Sequence, residues 1–176
     1  MESIVRRYNN LFEMCLSEIE DITIYEVGGK LGISFPQKYI DLVKLCDGAF
    51  PEKNVFGYFS NLLGTYDQSC LGMFHVYCEN YPHKSELMIS RIKNPPEFFP
   101  EGLISFASVG NGDLICFDYR ADPKTDNPPI VIWEHEAAGS DDAVSPIAPD
   151  FESFMNMLMS DEEAEKEYAR LTAGKK

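Results

Sequence analysis

Basic residues are scarce in this sequence, and that scarcity already narrows what the protein can do. Fifteen Lys and Arg stand against 29 Asp and Glu, a formal net charge of −14. Such a surface repels nucleic-acid phosphates and attracts basic proteins, so direct nucleic-acid binding is not expected. Long apolar runs are also missing. Every hydrophobic stretch is interrupted within a few residues, short of the roughly 20 that a membrane-spanning helix needs. Met1 to Asn10 carries charged and polar groups where a secretory leader would be continuously apolar. A cytoplasmic protein with no membrane contact is the expectation. The five cysteines, Cys15, Cys46, Cys70, Cys78 and Cys116, are odd in number and scattered, which suits buried thiols in a reducing compartment better than a disulfide framework. With only three histidines, no Ser-His-Asp or Cys-His set can be assembled from spacing alone.

The chain does have enough apolar material for one core: 44% of its 176 residues are hydrophobic, which predicts a single domain. Ile4, Tyr8, Leu11, Phe12, Cys15 and Ile19 recur at helical spacing and predict an N-terminal helix over residues 1–20. In "TIYE", Thr23 and Glu26 have the spacing of a reciprocal capping box, opening a helix that Gly28, Gly29 and Gly32 keep short. "SFPQ" repeats the pattern with Ser34 as cap and Pro36 in the first turn. A helix to Asp47 follows, burying Tyr39, Ile40, Val43 and Cys46 and ending at Gly48. "VFGYFS" reads as a strand. Leu71, Phe74, Tyr77 and Cys78 have the spacing of one helix, and the prolines of "NPPEFFPEG" make that segment a loop.

"SVGNGDLICFDYR" poses the sharpest choice, because its two glycines either cradle a phosphate or turn the chain. A phosphate cradle needs a following helix and either a third glycine or a Lys-Ser/Thr pair; here an apolar, aromatic run follows instead. Asn111-Gly112 therefore reads as a two-residue hairpin turn. That register sets Phe106 opposite Phe117 and Ile104 opposite Tyr119, with Ile115 on the same face. In "IVIWEHE", alternation places Glu134 and Glu136 on one face and His135 beside Trp133 on the other. Asp150 caps a final helix with Phe151, Phe154, Met155 and Leu158 as its apolar stripe, and a charged helix or tail follows over residues 161–176.

Three constellations invite chemistry. Cys70, His75, Cys78 and His83 are zinc-type donors, but they lack the paired spacing that zinc sites use. No metal and no cofactor is expected. His135 lies between two glutamates, yet neighbours in a strand face opposite sides, so the glutamates cannot orient its ring. Asp113 and Asp118 fall on opposite faces for the same reason. An enzyme is not expected.

"YEVGGKLGISFPQKYIDLVKLCDGA", "ISFASVGNGDLICFDYR", "IVIWEHE" and "FESFMNML", in this order, resemble the successive signatures of the SUKH superfamily. The resemblance implies an α+β fold with a single curved, mainly antiparallel β-sheet and helices packed against it, here over residues 21–160. It also implies a non-catalytic binding module. Bacterial members are immunity proteins that bind and neutralise cognate secreted toxin domains, often nucleases; fungal members are regulators of cell-wall synthesis that work through protein contacts, which is the alternative. A basic nuclease toxin would meet an acidic surface, for which the candidates are Asp122 and Asp126, Glu134 and Glu136, and Asp141 and Asp142. The sequence leaves the oligomeric state open.

Overall fold

The computed structural model describes residues 12–14, 19–78, 81–83 and 87–173. Phe12–Met14 form a short strand, β1, against Phe50–Pro51, β2, where helical spacing pointed to a helix. The rest of the expected N-terminal helix lies outside the described residues, apart from Ile19, whose amide donates to the Lys44 carbonyl at 3.2 Å, and Glu20, neither of them helical.

Helix α1, Asp21–Leu31, begins earlier than the Thr23 signal, with Glu20 as N-cap and no side-chain cap. Gly28 and Gly29 do not interrupt it, and it runs for 11 residues. Gly28 is buried where a Cβ would lie 3.1 Å from the Ile33 carbonyl, so a small residue lets the next segment pack close. The helix ends at Gly32, which takes the left-handed conformation at φ 70° and donates to the Gly28 and Gly29 carbonyls. Helix α2, Gln37–Leu45, is capped by Pro36 rather than Ser34, whose carbonyl instead accepts the Tyr119 hydroxyl at 2.7 Å. Its buried face includes the expected Tyr39, Ile40 and Val43. Beyond it the buried Asp47 accepts the backbone amides of Tyr77 and Cys78, both at 2.8 Å, which clamps the helix end to a distant connection.

Six strands follow as an antiparallel meander: β3 Val55–Ser60, β4 Thr65–Phe74, β5 Leu103–Val109, β6 Leu114–Asp118, β7 Ile130–Trp133 and β8 Val144–Ala148. Helix α3, Met88–Lys93, lies between β4 and β5, and helices α4, Phe151–Asn156, and α5, Asp161–Thr172, close the chain. This is an α+β fold with one main, six-stranded antiparallel sheet that stays open, beside the small β1-β2 pair. The segment read as a helix around Leu71 and Phe74 is β4, and Tyr77 and Cys78 lie beyond its end.

The hairpin between β5 and β6 is one residue longer than a two-residue turn. Gly112 donates to the Val109 carbonyl at 3.1 Å and carries φ 102°, so Gly110, Asn111 and Gly112 form a three-residue loop that ends in the permissive glycine. An irregularity between Ser105 and Ala107 shifts the register again, setting Ile104 opposite Phe117. Phe106 and Phe117 still share the core, stacked with ring centroids 4.3 Å apart.

One sheet face packs Phe56, Phe74, Phe106, Ile115, Phe117 and Ile132 against Ile24, Tyr39, Phe151 and Phe154 from the helices. The other face holds a smaller cluster of Leu103, Leu114, Cys116, Val131 and Trp133, covered by Phe99, Ala137 and Ala143. Burial on both faces explains why "LICF" and "IVIW" are apolar without alternation. Trp133 and Phe117 belong to one sheet but to opposite faces.

Candidate partner-binding surface

β7 runs only as far as Trp133, and the chain then tightens into two 3₁₀ turns, His135–Ala137 and Asp141–Ala143. The end of the strand decides the fate of three side chains in "EHE". Glu134, 5% exposed, points into the protein and is held by hydroxyls: Ser145 Oγ donates at 2.6 Å, Ser60 Oγ at 2.8 Å and the Tyr58 hydroxyl at 3.4 Å. Ser60 belongs to β3 and Ser145 to β8, so this carboxylate ties together the two outermost strands. Asn61 adds two bonds to the same junction, its amide to Ser145 Oγ at 2.9 Å and its side chain to the Val144 carbonyl at 2.7 Å. The Glu134 charge also contributes to holding the Tyr58 hydroxyl above its usual pKa, after burial itself.

Glu136 is exposed on the first 3₁₀ turn, so it shares no strand face with Glu134. His135 turns toward the β5–β6 hairpin. Its Nδ1 lies 2.7 Å from Asp113 Oδ1, and the same oxygen accepts its backbone amide at 2.9 Å. Asp113 is buried, and Asn111 Nδ2 donates to its second oxygen at 2.7 Å. A buried carboxylate thus locks the hairpin tip to the first 3₁₀ turn. Among the described residues no hydroxyl or thiol hydrogen-bonds the imidazole. The Asp113 contact was invisible in the sequence, because it joins residues 22 apart across a register that only the folded sheet defines.

Asp141 and Asp142 are exposed on the second 3₁₀ turn, where Ser140 Oγ accepts the Asp142 amide at 3.0 Å. Together with Glu136 they occupy the sheet end that carries the hairpin tip. Asp122 and Asp126 are exposed in the connection from β6 to β7. Since β6 and β7 are antiparallel, with Phe117 opposite Ile130 and Leu114 opposite Trp133, that connection lies at the opposite end. The six predicted carboxylates therefore form two exposed groups and one buried member.

Cys70 is exposed on β4, His75 is fully buried beyond it, and His83 is exposed. Among the described residues no group of three His, Cys, Asp or Glu side chains is placed to hold a metal ion. Cys116 is a buried free thiol as expected, but free Cys70 is exposed and Cys46 is disulfide-bonded, so the reading of all five as buried thiols does not hold. Among the described residues no helix is long and apolar enough to cross a membrane.

Residues 18–157 match the sequence profile of the SMI1 / KNR4 family (SUKH-1), well over half of the chain and including the whole sheet. The chain belongs to the SUKH superfamily. No curated protein and no solved structure matches it. In this SUKH protein a segment that carried the resemblance has a structural role: "WEHE" holds the junction of β3 and β8 through Glu134 and the hairpin lock through His135, leaving Glu136 exposed at the surface.

Proposed function

We propose that this SUKH protein is a non-catalytic binding module, an immunity protein that binds and neutralises a cognate secreted toxin domain in the cytoplasm. The toxin is a basic nuclease. The observation that carries the reading is the rigid mounting of Glu136, Asp141 and Asp142: they sit exposed on two 3₁₀ turns, with buried Asp113 and Glu134 fastening that loop to the hairpin and to β3 and β8. A loop whose backbone is already held presents its carboxylates to a cationic phosphate-binding channel with little further ordering of the chain on binding. Asp122 and Asp126 at the far end add to the long-range field of a molecule with net charge −14. Such a field steers a cationic partner and raises its association rate.

The test is co-expression with the toxin domain encoded beside this chain's gene, followed by stopped-flow association of the purified pair at several salt concentrations. The wild type is expected to protect. Reversing Asp122, Asp126, Glu136, Asp141 and Asp142 to Lys should slow association and flatten its salt dependence with little change in dissociation. Full toxicity despite soluble expression would remove the immunity reading. Association that is indifferent to salt would remove electrostatic steering even where protection survives.

A further inference from the structure

Phe98 is 65% exposed, more than any other large hydrophobic residue described. It is also the one non-glycine residue among those described with a positive φ, 60°, a conformation in which a bulky side chain crowds its own backbone. Burial does not compensate that cost, because the ring faces solvent. The next residue does the opposite: Phe99 turns inward onto Trp133, with ring centroids 5.3 Å apart. The loop thus drives one ring into the outer cluster and holds its neighbour out.

The exposed ring is also seated. It lies beside Gly139, where a Cβ would come within 3.5 Å of it and where φ is 85°. Gly139 sits between the two 3₁₀ turns, so Phe98 stands against the loop that carries Glu136, Asp141 and Asp142. The two segments that meet here, residues 95–100 and 135–144, contribute four exposed carboxylates, Glu97, Glu136, Asp141 and Asp142, and no Lys or Arg. In the layer below, the Trp133 indole N–H is buried and has no protein acceptor among the described residues. A second copy of the chain would bring the same four carboxylates face to face, so charge selects a cationic occupant.

We propose that Phe98 is the aromatic anchor of the partner interface. It enters an apolar socket on a basic protein, whose Lys and Arg side chains meet the surrounding carboxylates. The arrangement has the anatomy of an interface hot spot, one rigid aromatic within a polar rim. This inference rests on the toxin-binding reading and adds to it the place where the toxin docks.

Selection of short random peptides displayed on phage against the full-length chain tests it directly. The enriched peptides should combine Lys or Arg with an apolar residue. Phe98→Ala should weaken them by about 30-fold or more, while Phe59→Ala, an exposed ring on β3, should change binding less than about twofold. Phe98→Gly should weaken binding equally yet raise the thermal midpoint, because glycine adopts the left-handed conformation freely. Any of four results would overturn the proposal: no enriched peptide, a consensus without cations, binding that survives Phe98→Ala, or a Phe98→Gly midpoint below wild type. Concentration-dependent self-association abolished by Phe98→Ala would assign the site to a second copy instead. Protection in co-expression is a separate readout, since protection that persists in Phe98→Ala keeps the immunity reading and removes this anchor.

Discussion

An imidazole sealed in a protein interior is a group that the unfolded chain protonates readily and the folded chain does not. His75 is fully buried, with Nε2 3.2 Å from Ser105 Oγ, and burial, helped by the charge of Arg91, pushes its pKa down to about 3. Because the unfolded value is about 6.5, the unfolded state binds the extra proton first. Stability is intact above that pH and is lost progressively as pH falls toward the folded value. The carboxylates act in a different window. Asp118, where hydrogen bonds and charge from Arg120 outweigh burial, and Asp150, lowered by the Ser153 amide, lose their contribution only below about pH 4. Asp47, raised by burial against its backbone donors, has the opposite sign. Urea unfolding at pH 7 and pH 5 should therefore show a loss of about 2 kcal/mol that His75→Gln largely abolishes, whatever that variant's absolute stability. An unchanged loss in the variant would assign the acid sensitivity elsewhere.

At the scale of elements, β4 shows why parts of the fold were hidden in the sequence. Leu71 and Phe74 are both buried in the main core, which three-residue spacing allows in a helix but not in a regular strand. The register of β4 against β5 shifts between those two residues, so an irregular strand reproduces a helical signature. α2, β3 and the β5–β6 hairpin were legible because their buried side chains keep a regular period or flank a strong turn signal. The mounting of the acidic loop was not, because Asp113 with His135, and Glu134 with Ser60 and Ser145, are distant in sequence and meet only in the folded sheet. α5 illustrates a local signal passed over: "SDEE" places Ser160 and Glu163 in a reciprocal capping box, with the Glu163 amide 3.4 Å from Ser160 Oγ and the Ser160 amide 2.8 Å from Glu163 Oε2. The charged tail is consequently a separate helix with its own start. Ser160→Ala should cost about 1 kcal/mol and speed proteolysis within residues 161–172, measured by limited digestion at neutral pH.

For the molecule as a whole, the decisive joint is the one that brings β3 to β8. Glu134 accepts from hydroxyls on both strands, so removing it strips Ser60 and Ser145 of a shared acceptor in a buried place. Glu134→Ala should destabilise by about 2 to 4 kcal/mol, since buried donors lose a charged partner at once. Glu134→Gln should cost less, because its amide oxygen still accepts from one of the two serines. Denaturant unfolding of the two variants distinguishes them; equal and small losses would show that the closure depends on packing alone. The exposed carboxylates of this acidic chain sit on loops and on the outer faces of helices, as Glu26 on α1, Glu152 on α4 and Glu162 on α5 do, and none belongs to the core clusters.

The closure also governs how another chain can engage the sheet. β3 exchanges backbone hydrogen bonds with Met159 at Val55, at 3.0 and 2.7 Å, and its far end is tied to β8 through Asn61. Both ends of that strand are occupied, which leaves too short a free stretch for an incoming strand to extend the ladder. Strand addition is the mode of recognition that reads backbone and tolerates many sequences. At the β3 edge, therefore, recognition of another chain would rest on side chains, and those at the adjoining loops can be exchanged while the hydrogen-bonded frame stays as it is.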